Sequence, residues 1–104
     1  MLIYNTSFHV EGESMIGPFR TYMRDVYLPK VTERGYLKNP RFVSLLTDIG
    51  EGLQGFALMC EVDNVLTLKK WRKEIGDMLM SDFHATFGEK VLTFSTSMKE
   101  IQLK

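Results

Sequence analysis

The sequence predicts an α+β protein with the ferredoxin-like βαββαβ fold, in which two helices lie on one face of a four-stranded antiparallel sheet. Periodicity gives the order strand, helix, strand, strand, helix, strand, and the two halves of the chain are similar units. The length of 104 residues, with 44% apolar and 25% charged residues, is that of one globular domain spanning residues 1–104. We expect the first and third strands at the centre of the sheet.

The first strand is predicted from Leu2 to Val10, a run of strand-forming residues that contains no glycine or proline. Because successive side chains of a strand point to opposite sides, the run has two distinct faces. One is mostly apolar and consists of Leu2, Tyr4, Thr6, Phe8 and Val10, and the other consists of Ile3, Asn5, Ser7 and His9. The sequence does not indicate which face meets the helices.

The first helix is predicted to begin at Ser14 as N-cap and to end at Gly35 in a left-handed C-cap. Pro18 suits its first turn, whereas Pro29 should produce a kink near Tyr27–Lys30 because proline removes a backbone hydrogen bond. The apolar stripe consists of Met15, Phe19, Tyr22, Met23, Val26 and Tyr27, and the opposite side carries Arg20, Thr21, Arg24 and Asp25.

A loop from Tyr36 to Pro40 should lead into a second strand from Arg41 to Ile49. Glycines at positions 50 and 52 predict a hairpin turn, and the third strand should follow from Leu53 to Val62. This third strand is apolar on both faces as far as Glu61, which is typical of a central strand that is covered on both sides.

The second helix is predicted to be capped by Asp63–Asn64 and to end at Gly88. Its apolar stripe consists of Leu68, Trp71, Ile75, Met78, Leu79, Phe83 and Phe87. The last strand should run from Lys90 to Met98, followed by a short tail.

Two helices cover one face of such a sheet, yet the first, third and last strands carry large apolar side chains on both faces. Leaving three such side chains in water would forfeit several kcal/mol at ~25 cal/mol per Å². The sequence therefore predicts a homodimer that packs sheet to sheet across a two-fold axis. The alternative is that a partner protein or a membrane surface covers this face, but neither has a separate signature in the sequence.

Composition excludes several classes of function. Thirteen basic residues balance thirteen acidic ones, so we expect no nucleic-acid partner. No apolar window approaches the ~20 residues of a membrane span, and the start lacks a signal-peptide pattern, so a cytoplasmic protein is expected. The two histidines, His9 and His84, form no metal-ligand pair, so neither a metal nor another cofactor is expected. The single cysteine, Cys60, should be a small buried hydrophobe.

Several short motifs together resemble a small uncharacterised bacterial family known only as a domain of unknown function. They are Ile-Tyr-Asn-Thr-x-Phe-His-Val, Tyr-Leu-Pro-Lys-Val, Asn-Pro-Arg, Leu-x-x-Trp and Phe-Gly-Glu-Lys-Val-Leu, and they span nearly the whole chain. The family is similar to the dimeric α/β-barrel group. That group includes cofactor-independent monooxygenases, muconolactone-type isomerases, haem-degrading enzymes and ligand-sensing domains, so the resemblance implies a fold and no particular activity.

Asn5, Ser7 and His9 are candidate ligand-binding residues because an amide, a hydroxyl and an imidazole recur about 7 Å apart along one face of a strand. Asn5 can orient a carbonyl, and His9 can exchange a proton near neutral pH. The alternative is that Asn5 and Ser7 satisfy structural hydrogen bonds and that His9 is solvated.

Tyr22, Tyr27 and Trp71 are candidate walls of an apolar pocket between the helices and the sheet. The alternative for these three aromatic residues is core packing. The sequence contains no phosphate-binding loop, nucleophile elbow or cysteine–histidine arrangement, so no reaction is assigned from motifs. Three hypotheses follow: a dimeric protein that binds a small, mostly apolar ligand, a cofactor-independent monooxygenase or isomerase on the same scaffold, and a structural homodimer without a ligand site.

Overall fold

The structure, a computed structural model, describes residues 1–103 and has the predicted ferredoxin-like architecture. Four strands form one antiparallel sheet in the order β2-β3-β1-β4, so that β1 and β3 are central as expected. The strands are β1 (Leu2–Glu11), β2 (Lys38–Ser44), β3 (Leu53–Val62) and β4 (Val91–Lys99). The helices are α1 (Glu13–Tyr22), α2 (Leu28–Val31), α3 (Val65–Trp71) and α4 (Asp77–Phe87).

The even-numbered residues of β1 face the helices and form the centre of the core. Phe8 is fully buried. Its ring packs against Phe19 at 5.3 Å, Phe83 at 5.4 Å and Tyr27 at 5.6 Å between ring centroids. Helices from both halves of the chain therefore pack on this face of the sheet. The other face has no helix, and it carries Ile3, Asn5, Ser7 and His9.

A π-helical segment interrupts the helical region in each half of the chain. Met23–Tyr27 joins α1 to α2, and Arg72–Gly76 joins α3 to α4. In each, an N–H donates to the carbonyl five residues earlier, from Leu28 to Met23 and from Asp77 to Arg72. We refer to residues 13–31 as the first helix and to residues 65–87 as the second.

Three details of the first helix correct the sequence predictions. Gly12, rather than Ser14, is the N-cap, since its φ of 83° turns the chain directly from β1 into the helix. Pro18 consequently lies in the interior of α1 rather than in its first turn. The irregularity predicted at Tyr27–Lys30 begins at Met23, and the second helix has the same widening without any proline, so Pro29 is not its general cause.

β2 begins earlier and ends earlier than predicted. Lys38, Asn39 and Pro40 belong to the strand rather than to a loop, and a bulge between Lys38 and Arg41 places Asn39 at a φ of 51°. The sheet tolerates Pro40 because β2 is an edge strand, where a missing N–H breaks no inner ladder. The strand ends at Ser44 instead of Ile49, and the following segment forms a longer connection before β3.

The second helix begins as predicted, since Asn64 Oδ1 accepts a hydrogen bond from the Thr67 N–H at 2.8 Å. It ends at Phe87, and Gly88 follows with a φ of 56°. Met78 does not belong to the buried stripe and is exposed. β4 begins at Val91, one residue later than predicted, because Gly88–Lys90 forms a 3₁₀ turn.

Apolar side chains remain exposed on the helix-free face of the sheet. Leu92, Phe94 and Met98 of β4 retain 47%, 52% and 39% of their accessible surface. They lie opposite His9, Ser7 and Ile3 of β1. Within residues 1–103, no helix is long and apolar enough to span a membrane.

Candidate functional site

A cleft of about 550 Å³ lies between the first helix and the strands β2 and β3. It is larger than the depressions of about 340 Å³ and 240 Å³ elsewhere on the molecule. Its lining consists of Gly17, Arg20, Thr21, Met23, Arg24, Leu28, Phe42 and Leu58. We call this the α1/β2 cleft.

The cleft is open because of two local features. Gly17 has no side chain, and a Cβ built there would meet no atom within 4 Å, so the helix leaves space at this position. Phe42 lies on the helix side of the edge strand β2, stacked on Phe56 with ring centroids 5.6 Å apart and planes 3° apart. Phe42 is nonetheless 38% exposed, because the helix does not cover this border of the sheet. The result is an apolar wall that a ligand can reach.

Two arginines stand at the mouth of the cleft, one helical turn apart. Arg24 is engaged by its neighbour, with Nε 2.7 Å from Asp25 Oδ1 and one terminal nitrogen 3.0 Å from Oδ2. The hydrogen bond from Arg24 lowers the pKa of the Asp25 carboxyl from its ordinary value. Arg20 has no ion-pair partner within residues 1–103. The Arg24–Asp25 pair is neutral as a whole and no lining residue is acidic, so the positive charge at the mouth is that of Arg20.

The predicted polar row of β1 lies outside this cleft, on the helix-free face. Asn5 Nδ2 donates to Ser7 Oγ at 3.1 Å, so these two side chains partly satisfy each other. The His9 ring packs against Phe94 with centroids 4.9 Å apart. All three side chains are partly buried in the single chain. They border the exposed apolar surface of β4.

The predicted aromatic walls lie on the opposite side of the sheet from that row. Trp71 is buried, and its Nε1 donates to the Val31 carbonyl at 3.0 Å. Tyr27 is also buried, and Tyr22 packs edge-on against Phe83 and Phe87. The void that Tyr27 and Trp71 share is only about 10 Å³. Strand alternation therefore separates the two predicted sets, and one chain does not combine them in a single site.

Two buried ionisable groups, Cys60 and Tyr27, hold their protons near neutral pH. Cys60 is buried as predicted, and burial raises the pKa of its thiol to about 11. Burial also raises the pKa of the Tyr27 hydroxyl. Neither group is therefore an anionic nucleophile near neutral pH. No three His, Cys, Asp or Glu side chains among residues 1–103 are grouped so that they could hold a metal ion.

Sequence reasoning placed Arg20, Thr21 and Arg24 on the outer side of the first helix, and so missed their position at the cleft. The available signal was the spacing of the two arginines, which puts like charges on one helix face without an intervening carboxylate. Gly17, one turn before Thr21, was a second signal, because a glycine inside a helix without a turn requirement often marks open space or a close approach.

Comparisons with known proteins agree with the fold. An ethyl tert-butyl ether degradation (EthD) family protein of Bacillus halodurans is similar over 97% of this chain and 100% of its own, with a TM-score of 0.71 and 13% identity. The de novo designed protein Foldit4 is similar over 96% of this chain and 98% of its own, with a TM-score of 0.62 and 5% identity. At such identities these likenesses concern the fold alone. No functionally curated protein matches the chain. One family model, described as Domain of unknown function (DUF4286), matches residues 1–101.

Proposed function

This chain belongs to the DUF4286 family of domains of unknown function, and we propose that it binds a small, mostly apolar ligand in the α1/β2 cleft. The observation that carries the proposal is the cleft itself, whose volume of about 550 Å³ is lined by Met23, Leu28, Phe42 and Leu58. Pockets for small molecules typically have ~300–1,000 Å³ and apolar walls with a few polar groups. Sensing or sequestration of that ligand is the role this supports.

The chemistry of the lining favours binding over acid–base turnover. Its polar side chains are those of Arg20, Thr21 and Arg24. A guanidinium stays protonated at physiological pH, and a hydroxyl exchanges protons poorly without a partner base. These side chains orient and neutralise a ligand, whereas a cofactor-independent monooxygenase or isomerase requires a base at the substrate.

The same proposal includes a homodimer in which the helix-free faces of two sheets pack together. It is supported by the exposed Leu92, Phe94 and Met98, which continue the apolar surface of Ile3 on β1. Burial of apolar surface at ~25 cal/mol per Å² is the driving force for such packing. The α1/β2 cleft lies on the opposite side of the sheet, so each protomer retains its own cleft in this arrangement.

Binding of a neutral fluorescent probe, N-phenylnaphthylamine, tests the ligand-binding proposal. The Gly17→Leu variant places a side chain into the cleft at a position where no atom lies within 4 Å, so it should fill the cleft without disturbing the core. We expect wild-type protein to enhance the fluorescence saturably and Gly17→Leu to weaken binding about tenfold. The matched control is Ala85→Leu, on the exposed side of α4. Equal binding by all three proteins would contradict the proposal.

A further inference from the structure

We propose that the natural ligand of the α1/β2 cleft is an apolar monocarboxylate whose carboxylate is bound by Arg20. This inference rests on the proposed function and adds the chemical class of the ligand. It follows from the charge of the cleft mouth, from the difference between the two arginines, and from the position of the apolar walls.

The charge of the mouth is a local feature of a neutral protein. The chain has thirteen basic and thirteen acidic residues. Arg34 pairs with Glu74, Lys38 pairs with Asp63, and Arg24 pairs with Asp25. Arg20 lines the cleft without such a partner within residues 1–103, so its charge is left uncompensated there. A negatively charged ligand supplies the missing countercharge.

Arg20 is the arginine with an available donor face. The carboxylate of Asp25 occupies Nε and one terminal nitrogen of Arg24. Arg20 has no such partner within residues 1–103, and its guanidinium can donate two parallel hydrogen bonds to a carboxylate. The adjacent Thr21 also lines the cleft and supplies a hydroxyl donor. A carboxylate at this point therefore meets donors of the right type and number.

The walls determine what must be attached to that carboxylate. Met23, Leu28, Phe42 and Leu58 are all apolar and line the same cleft as the arginines. A ligand that satisfies both parts has a charged head at the exposed mouth and an apolar body against the walls. A small polar anion such as phosphate would leave the walls wet, so the structure favours an amphipathic acid. The body is an aliphatic chain or an aromatic ring system.

Isothermal titration calorimetry with matched ligand pairs tests the assignment. Octanoate and octanol share a chain, whereas naphthoate and naphthol share a ring system, so the two pairs distinguish an aliphatic from an aromatic body. We expect the carboxylate of the better pair to bind at least about tenfold more tightly than its neutral counterpart. Raising the NaCl concentration from about 50 mM to about 500 mM should weaken the binding of the carboxylate ligand and leave the binding of its neutral counterpart unchanged.

Two variants locate the effect. Arg20→Gln should weaken carboxylate binding about tenfold and change binding of the neutral ligand less than about twofold. Lys73→Gln removes the same charge from an exposed helical position away from the cleft and should change neither. Equal binding of carboxylate and neutral ligand, or an unchanged carboxylate affinity in Arg20→Gln, would overturn this inference and leave the proposed function standing. Binding of none of the four ligands would contradict both.

Discussion

Replacing Gly76 by alanine should destabilise the protein because the ring of Trp71 occupies the space that a side chain would need. A Cβ built on Gly76 lies 2.5 Å from Trp71 Cζ3 and 2.9 Å from Cε3. Ordinary carbon contacts are about 3.5–4.0 Å, so the overlap is about 1 Å. The backbone itself accepts alanine, since Gly76 has a φ of −63° and a ψ of −43°. The penalty is therefore a packing penalty.

The ring of Trp71 is not free to move away. It packs edge-on against Tyr4 with centroids 5.4 Å apart, and its Nε1 donates to the Val31 carbonyl at 3.0 Å. Overpacking costs about 1–3 kcal/mol, and a strained buried hydrogen bond adds about 1 kcal/mol. Alanine regains about 1 kcal/mol of helix propensity. We expect a net loss of about 2 kcal/mol in the free energy of unfolding.

Urea denaturation at fixed protein concentration measures this loss, with Gly17→Ala as the matched control. Gly17 is also a helical glycine, but a Cβ there meets no atom within 4 Å, so alanine should stabilise the protein by about 0.5–1 kcal/mol. Trp71→Phe, which shortens the ring, should reduce the cost of Gly76→Ala in a double-mutant cycle. Equal effects of the two alanine substitutions would refute the steric argument.

Three further predictions concern assembly, capping and the thiol. Phe94→Ser should shift the protein from dimer to monomer in sedimentation velocity. The control Met78→Ser removes an exposed apolar side chain from the second helix and should leave the dimer intact. A wild-type protein that sediments as a monomer at micromolar concentration would contradict the proposed homodimer. Asn64→Ala should lower the free energy of unfolding, measured in urea, by about 1 kcal/mol, whereas Asn64→Asp should lower it much less because aspartate is also a good N-cap. Equal losses in the two variants would contradict the N-cap role of Asn64. Because burial raises the pKa of Cys60 from 9.0 to about 11, the folded state holds a proton that the unfolded state releases, so stability should fall as pH rises from about 9 to about 11. Cys60→Ala should make that fall shallower, and an unchanged pH dependence would contradict the assignment.

The sequence was sufficient to predict the fold because its periodicities, caps and turns agree with one another. Strand alternation predicted the two faces of β1, and Asn64 and Gly88 correctly bounded the second helix. The family resemblance indicated by the short motifs is confirmed by the family model, which matches residues 1–101. The predicted boundaries were wrong where the position of an element in the fold determines its conformation. Pro40 was predicted to lie in a loop because proline is unfavourable in a central strand, but it lies in β2, which is an edge strand.

The candidate site was harder to predict because a cleft depends on how far a helix covers a sheet border. Periodicity assigns Arg20 to the outer side of the first helix, but it does not show that Phe42 of a distant strand lies exposed beside that side. Alternation also left open which face of β1 meets the helices. Once that was fixed, Asn5 and His9 lay on one side of the sheet and Trp71 on the other.

Amide chemical-shift mapping with N-phenylnaphthylamine tests where the ligand binds, because it distinguishes the two sides of the sheet in one experiment. We expect the probe to perturb the amides of Gly17, Thr21, Met23 and Leu58, which line the α1/β2 cleft. Saturable perturbations confined to Asn5, Ser7 and His9 on the helix-free face would contradict it and would place the ligand site on the first strand instead.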